Sequence, residues 1–180
     1  EIYNWFDRSG HNNTAFTGQN GSAKPMLASE NGFATLEFDG NDYFSTDNFT
    51  SSTSQTVFVV ARIYGNFQTN SALTAYQAGG SDWQFEAGST SEFLGSMNFN
   101  NNPTIAIGED LTTSTGLRLF EIWLDFDATN TTELWMDGQL KIAQAGYTTP
   151  LDPIGKFRIA SNRGGGQQVN AEVAEVIIYD

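Results

Sequence analysis

The segment Leu117–Asp127 constrains the fold of this chain more than any other, because two kinds of side chain alternate along it. One set is apolar: Phe120, Ile122, Leu124 and Phe126. The other set is mostly acidic: Glu121, Trp123, Asp125 and Asp127. Successive side chains of a β-strand point to opposite faces. The segment is therefore predicted to be a strand whose apolar set faces a core and whose second set faces outward.

A hairpin is predicted directly after this strand. Asp137-Gly138 stands between the apolar runs Glu133–Met136 and Gln139–Ala143, and Asp-Gly in that position is the strongest short-range hairpin signal. Other strand-like runs are separated by turn residues along the chain: Phe33–Phe38, Thr56–Tyr64, Ala72–Ala78, Trp83–Ala87, Phe93–Phe99, Thr104–Ile107, Lys156–Ser161 and Val169–Tyr179. Such a series, without long helical periodicity, predicts a single all-β domain over residues 1–180. Thr56–Tyr64 is nearly all apolar and is predicted to be buried on both faces.

Charge narrows the range of partners. The chain has 8 Lys and Arg against 21 Asp and Glu, a net charge of −13. A surface of that charge repels phosphate backbones and anionic lipids, and no apolar run approaches the roughly 20 residues of a membrane span. We therefore expect neither a nucleic-acid partner nor membrane insertion. The chain has no cysteine, and both of its ends read as cut from a longer polypeptide.

Four segments, in the same order along the chain, resemble the laminin-G-like, concanavalin A-like jelly-roll domains. Trp5–Asn13, reading WFDRSGHNN, is similar to the opening of that family, and Ala34–Phe44, reading ATLEFDGNDYF, is similar to its next segment. Phe120–Leu140 resembles the family's long strand and Asp-Gly hairpin, and Ala171–Asp180, reading AEVAEVIIYD, resembles its last strand. The resemblance implies an antiparallel two-sheet jelly-roll β-sandwich.

The same resemblance implies a binding domain, since most members are carbohydrate-binding, adhesion or bacteriophage fibre and decoration domains. One expectation is a non-catalytic carbohydrate-binding or adhesion module of a larger extracellular protein, whose partner is a glycan or cell-surface polysaccharide. The alternative is a structural or receptor-binding domain of a bacteriophage or other particle, on the virion surface, where a homo-oligomer is expected. Fold alone does not decide between the two.

Catalysis is not expected. His11 is the only histidine and there is no cysteine, so nucleophilic triads and dyads lack their base or nucleophile. Asp125 and Asp127 would lie about 7 Å apart on one strand face, which suits an inverting glycosidase pair. However, the sandwich glycanase signature E-x-D-x-E or E-x-D-x-x-E is absent, and Asp127 opens a turn, where Asp is common for local reasons.

The resemblance suggests calcium as a metal ligand of this domain, because laminin-G relatives often hold Ca²⁺ at a loop rim. Asp39, Asn41 and Asp42 supply oxygen ligands in one cluster, and Asp125, Asp127 and Asn130 supply them in another. Neither cluster has the EF-hand spacing. The alternative for Asp39-Gly40-Asn41-Asp42 is an ordinary turn, so no cofactor is required.

Six residues are predicted to contact a ligand, because aromatic rings stack on sugars and amides bond their hydroxyls: Trp83, Asn98, Asn101, Trp123, Arg163 and Gln167. Four of them have an alternative interpretation. Trp83 shares its face with Phe85, which favours the core, and Trp123 would otherwise belong to a satellite cluster under a loop. The glycine-rich loop Arg163–Gln168 is either a recognition loop or a solvated hairpin tip.

Overall fold

The computed structural model describes residues 1–17, 24–64, 71–79, 82–86, 94–99, 105–113, 115–125, 131–145 and 151–179, and gives the backbone alone for 94–99, 105–110 and 113. These residues form two antiparallel sheets, packed as a jelly-roll β-sandwich, and one short 3₁₀ turn at Leu111–Thr113. Within these ranges there is no helix with the length and apolarity that a bilayer crossing requires. The predicted fold class is confirmed.

One sheet has nine strands. Eight of them follow the order β1-β2-β5-β15-β8-β9-β10-β11, and β6 pairs with β15 beside that path. Their bounds are β1 Asn4–Trp5, β2 Ala15–Thr17, β5 Phe44–Thr46, β6 Phe49–Thr50, β8 Ala72–Ala78, β9 Trp83–Glu86, β10 Leu94–Phe99, β11 Ile105–Asp110 and β15 Ile154–Ile159. Strands β8 to β11 are consecutive in the chain, whereas β2 pairs with β5, and β15 pairs with β5, β6 and β8, so the centre of the sheet joins distant parts of the chain.

The other sheet has seven strands in the order β14-β13-β12-β7-β16-β4-β3. Their bounds are β3 Met26–Glu30, β4 Phe33–Asp39, β7 Gln55–Ile63, β12 Arg118–Asp125, β13 Thr131–Met136, β14 Gln139–Ala145 and β16 Asn170–Tyr179. The predicted Asp137-Gly138 hairpin joins β13 to β14, with both residues at positive φ as a type I′ turn requires. A second such turn, Asn31-Gly32, joins β3 to β4, and that strand pair was not predicted in full.

The register of β12 is as predicted from its alternation. Phe120 lies opposite Val59 of β7 and Met136 of β13, and all three are buried. Ile122 and Leu124 are buried on the same face, and Phe126 lies outside the described residues. Burying side chains of this size contributes about 1.5–3 kcal/mol each, so a shift of register by one residue is strongly disfavoured.

Aromatic rings tie the two sheets together across the core. Phe85 of the nine-stranded sheet packs on Phe120 of the seven-stranded sheet, with ring centroids 5.2 Å apart. Phe44 and Phe38 form a second pair between the sheets, edge to face at 5.8 Å. Such geometries add about 0.5–1.5 kcal/mol beyond area burial. The two sheets therefore hold each other at a fixed separation, and their outer faces are rigid platforms.

Candidate functional site

The outer face of the seven-stranded sheet carries a group of aromatic side chains that the strand registers place in rows. In β13, β12, β7 and β16, one row reads Glu133, Trp123, Thr56 and Tyr179, and the next reads Trp135, Glu121, Phe58 and Ile177. We call these two rows the Trp123 face. Four adjacent strands contribute to it, so the side chains have fixed neighbours on every side.

The rings of the Trp123 face are open to solvent. Trp123 is 48% exposed and Tyr179 is 60% exposed. The Tyr179 ring meets Phe58 edge to face with centroids 6.0 Å apart, and the indole N–H of Trp135 donates to a carboxylate oxygen of Glu133 at 2.8 Å. Two large exposed rings on one sheet face are the kind of feature that marks a binding surface more often than scattered single side chains do.

Carboxylates surround the Trp123 ring. Glu121 and Asp125 share its strand face, two residues away on either side, and Glu133 lies directly opposite on β13. Residues two apart on a strand are separated by about 7 Å, and strands by about 4.8 Å. The arrangement therefore places an apolar ring at the centre and hydrogen-bond acceptors around it.

Two parts of this face were not predicted from the sequence. The run Thr56–Tyr64 was expected to be buried on both faces, but Thr56, Phe58 and Val60 are only half-buried. Likewise Ile177 and Tyr179 point outward, between buried or half-buried neighbours of β16. Thr56–Tyr64 and Val176–Tyr179 are nearly all apolar, so neither run shows the alternation in sequence that would mark its outer face.

The outer face of the nine-stranded sheet is different, because its polar side chains are buried and paired with one another. Gln84 and Glu86 of β9 are both buried, and the Gln84 amide donates to Glu86. Arg158 of β15 lies over the Tyr43 ring, 5.5 Å from its centroid, and donates to Gln77 at 2.7 Å. These polar groups bind each other rather than facing a ligand.

A hairpin formed by residues 161–168 covers the middle of that face. Ser161 and Gln168 form an isolated bridge, and the main-chain amide of Asn162 donates to the main-chain carbonyl of Gln167 at 3.0 Å. Gly165 is buried at a φ of 74°, and a Cβ there would lie 2.2 Å from a guanidinium nitrogen of Arg158. The loop is thus a hairpin packed on the sheet, and Gly165 is the position of its glycine run that the packing requires.

Arg163 and Gln167 hold this hairpin in place. The Arg163 guanidinium forms an ion pair with Asp82, and its main-chain amide donates to Gln84 at 3.3 Å. The Gln167 side chain accepts a hydrogen bond from the Asn162 amide. The charge of Arg163, which was predicted to contact a ligand, is therefore already partnered inside the domain.

Trp83 requires a correction. Its side chain is fully buried, and its indole N–H donates to Gln55 at 3.1 Å inside the core. A ring without exposed surface cannot stack on a sugar, so the core interpretation of Trp83 is the right one. Asn98 lies in β10, where only the backbone is described, and Asn101 lies outside the described residues. Of the six predicted contacts, Trp123 is the one that the described structure presents as an exposed ring.

Asp39, Asn41 and Asp42 form a turn with internal hydrogen bonds. A carboxylate oxygen of Asp42 accepts from the Asp39 amide at 3.0 Å, and Asp39 accepts from the Asn41 amide at 3.0 Å. Burial and the nearby charge of Asp39 raise the pKa of Asp42 from 3.8 to about 6. Among the described residues, no group of three or more His, Cys, Asp or Glu side chains comes together; Asp127 and Asn130 of the second cluster lie outside them. Calcium binding stays a prediction.

His11 lies in an exposed loop and is not oriented as a general base. Its Nδ1 is 3.1 Å from the Ser9 hydroxyl. The Asp7 carboxylate, which would have to orient the ring in a triad, instead accepts main-chain amides of Ser9 and Asn13 at 2.7 and 2.8 Å. These hydrogen bonds lower the pKa of Asp7. The three side chains build a loop and do not form a nucleophilic relay.

Comparison with solved structures finds other proteins with the same fold. Domain 4 of AbnA, a GH43 extracellular arabinanase from Geobacillus stearothermophilus solved with arabinotriose, superimposes with a TM-score of 0.69 at 11% identity, over 90% of this chain and 78% of that one. The cellulose induced protein Cip1 superimposes with a TM-score of 0.65 at 14% identity, over 92% of this chain and 90% of that one. The carbohydrate recognition domain of Emp47p superimposes with a TM-score of 0.54 at 10% identity, over 99% of this chain and 95% of that one.

At the level of sequence, no family model matches this chain. No curated protein matches it either. Identities near 10% show a common fold and nothing finer, so membership of the laminin-G family in particular stays a prediction. The chain shares its jelly-roll β-sandwich fold with domain 4 of AbnA and with the carbohydrate recognition domain of Emp47p.

Proposed function

We propose that this chain is a non-catalytic carbohydrate-binding module and that the Trp123 face holds the glycan. The observation that carries the proposal is the half-exposed indole of Trp123, fixed on a rigid sheet and flanked by Glu121, Asp125 and Glu133. The apolar C–H face of a sugar ring stacks on an indole, and its hydroxyl groups donate to carboxylates. The structural relatives named for carbohydrate recognition support this proposal.

The spacing of the rings suits a chain of sugars rather than one. Trp123 of β12 and Tyr179 of β16 lie in the same row, with Thr56 of β7 between them. Two strand spacings place their Cα atoms about 10 Å apart. Glu133 and Glu121 lie beside this line, where they accept hydroxyl hydrogens. The rings need little reordering on binding, because the sheet already holds them, and this lowers the entropic cost.

Binding to a panel of neutral and charged polysaccharides tests the proposal. We expect Trp123→Ala to weaken binding at least tenfold, about 1.4 kcal/mol, as is typical of a central aromatic contact. Phe33→Ala is the matched control, since Phe33 is also an exposed aromatic of the seven-stranded sheet but lies beside the Asn31-Gly32 turn. Equal affinity of wild type and Trp123→Ala would remove the Trp123 face as the glycan site.

The absence of catalysis is part of the proposal and has its own test. Incubation of the domain with the polysaccharides that it binds should release no reducing ends. Asp125 is the carboxylate nearest to Trp123 along β12 toward the strand end. Turnover that Asp125→Asn abolishes would make the chain a glycosidase and overturn the proposal.

The same exposed face also favours a second candidate, a structural or receptor-binding domain that packs on another copy. Ile177 and Trp123 expose apolar surface together, and such a patch suits a protein interface as well as a sugar. Light scattering over a concentration series distinguishes the two. A stable oligomer that Trp123→Ala dissociates would favour the second candidate, whereas a monomer that binds polysaccharide favours the first. A place outside the cell, as part of a larger protein, belongs to both proposals.

A further inference from the structure

A separate cleft of about 290 Å³ lies at the β1–β2 edge of the nine-stranded sheet. Two phenyl rings, Phe6 and Phe16, form its apolar walls, and Asn12, Asn13, Asn48 and Asp47 supply its polar groups. Its volume is at the lower end of the range for small-molecule sites, about 300 Å³ and above. The cleft is distant in the fold from the Trp123 face, which belongs to the other sheet.

Both phenyl rings of the cleft are open to solvent. Phe6 is 69% exposed and Phe16 is 42% exposed. Phe16 occupies the outward position of β2, since its neighbour Ala15 is buried in the core and pairs with Trp5. The strand thus has an ordinary inward residue and an outward aromatic one.

The amide groups of the cleft are available for a ligand. Within the part of the chain that the structure describes, the side chains of Asn12, Asn13 and Asn48 take part in no hydrogen bond, and they line the cleft together with the Asp47 carboxylate. An amide donates through its nitrogen and accepts through its oxygen, so it matches a hydroxyl, which does both. Three amides beside two rings form a surface suited to a hydroxyl-rich ring.

The loop that carries Asn12 and Asn13 is fixed by Asp7. Its two carboxylate oxygens accept the main-chain amides of Ser9 and Asn13, and its own amide donates to the Thr14 hydroxyl at 3.4 Å. Asn12 has a φ of 63°, in the left-handed region that asparagine tolerates better than most residues. The loop is therefore ordered before any ligand arrives, which lowers the cost of binding.

We propose that this cleft is a second binding site, which takes a single neutral sugar unit such as the end of a glycan chain. The volume limits the ligand to about one ring. The amides and the phenyl walls match its hydroxyls and its C–H face, whereas Asp47 and the net charge of −13 oppose an acidic sugar. The proposal rests on the contents of the cleft and holds whether or not the Trp123 face binds glycan.

The position of the cleft gives the domain a further property. Phe16 points outward from the nine-stranded sheet and Trp123 points outward from the seven-stranded sheet. The outer faces of two packed sheets point in opposite directions. With both sites occupied, one domain holds two separate glycan chains and bridges them, rather than binding one chain twice.

Titration of the ¹⁵N-labelled chain with neutral monosaccharides, followed by NMR, tests the cleft directly. The panel consists of glucose, galactose, mannose, xylose, arabinose and N-acetylglucosamine, with glucuronate as the acidic comparison. We expect at least one neutral sugar to shift the amide signals of the loop 7–14, with weaker or no shifts from glucuronate. Phe16→Ala and Asn48→Ala should each weaken this binding at least tenfold, while Trp123→Ala and the exposed control Leu27→Ala leave it unchanged.

Each result has a defined meaning. The cleft proposal is overturned if no neutral sugar of the panel shifts the loop signals, if glucuronate binds there more tightly, or if Phe16→Ala leaves the affinity unchanged. Loss of polysaccharide binding in Trp123→Ala with no monosaccharide binding anywhere would retain the proposed function and remove the cleft. The reverse pattern would retain the cleft and remove the Trp123 face. A peptide-dependent shift with no sugar response would assign the cleft to a protein partner instead.

Discussion

The outer faces of the two sheets differ in the side chains that they present. On the nine-stranded sheet, Gln84, Glu86 and Arg158 are paired with neighbours and lie under the hairpin of residues 161–168. On the seven-stranded sheet, Trp123 and Tyr179 expose ring surface to solvent. The polar groups of the first region bind one another, whereas the two rings of the second are open to solvent.

This difference teaches that residue type alone does not identify a ligand contact in this domain. Arg163 and Gln167 have the residue types that recognise sugars, but both serve the internal hydrogen bonds of the hairpin. Buried polar groups need partners, and most find them within the protein. The face of an exposed aromatic ring does not need a hydrogen-bond partner within the protein. Its surface therefore remains for a ligand or a partner chain.

The largest expected effect is a loss of stability that differs between the two faces of strand β12. Phe120→Ala should lower the free energy of unfolding by about 3–5 kcal/mol, because it leaves a cavity beneath Phe85. Trp123→Ala, on the opposite face of β12, should change it by less than about 1 kcal/mol and weaken glycan binding instead. Urea denaturation and a binding isotherm on both variants measure the contrast. A large loss of stability in Trp123→Ala would mean that its ring supports the fold.

The next effect concerns the covered face. Gly165→Ala should destabilise the domain by about 1–3 kcal/mol, since the position has a positive φ and the new Cβ would meet Arg158. Gly166→Ala is the matched control, because nothing lies within 4 Å of a Cβ at that position. Thermal unfolding of the two variants should differ clearly. Similar melting temperatures would indicate that the hairpin does not pack on the sheet as described.

A smaller effect is expected from pH at the Asp42 turn. The pKa of Asp42 is raised from 3.8 to about 6, so its protonated form is favoured in the folded state. The resulting stability is fully present below pH 3.8 and is lost as the pH rises through about 6. Between pH 7 and pH 5 the wild type should gain about 1 kcal/mol over Asp42→Asn. Unfolding curves of both proteins at the two pH values measure this difference in the free energy of unfolding. The same curves with Ca²⁺ added test the calcium prediction, which a Ca²⁺-dependent rise in stability that is lost in Asp42→Asn would support.

The smallest effect distinguishes an internal ion pair from a ligand contact. Arg163→Ala should lower stability by about 0.5–1 kcal/mol, because its partly buried pair with Asp82 is lost. Polysaccharide affinity at the Trp123 face should stay the same. A double-mutant cycle with Asp82→Ala isolates the pair. Weaker binding in Arg163→Ala with unchanged stability would return Arg163 to the list of ligand contacts.

The sequence predicted the parts of this structure that depend on local pattern. Alternation in β12 fixed which side chains face the core, and Asp137-Gly138 fixed a hairpin, since both depend on backbone geometry within a few residues. The short strands β1, β2, β5 and β6 were not predicted. Each has two or three residues, too few for a period to appear, and each forms only against a partner from another part of the chain.

Site residues divide in the same way. The outward direction of Trp123 followed from the sequence, because its strand neighbours alternate. That Tyr179 and Phe58 lie beside it depends on β16 and β7 pairing across more than 100 residues of sequence separation, and the burial of Trp83 depends on a core that both sheets build. Local sequence decides which way a side chain points on its own strand. Only the tertiary structure decides what lies next to it, because strand order is fixed by the joint burial of the whole core.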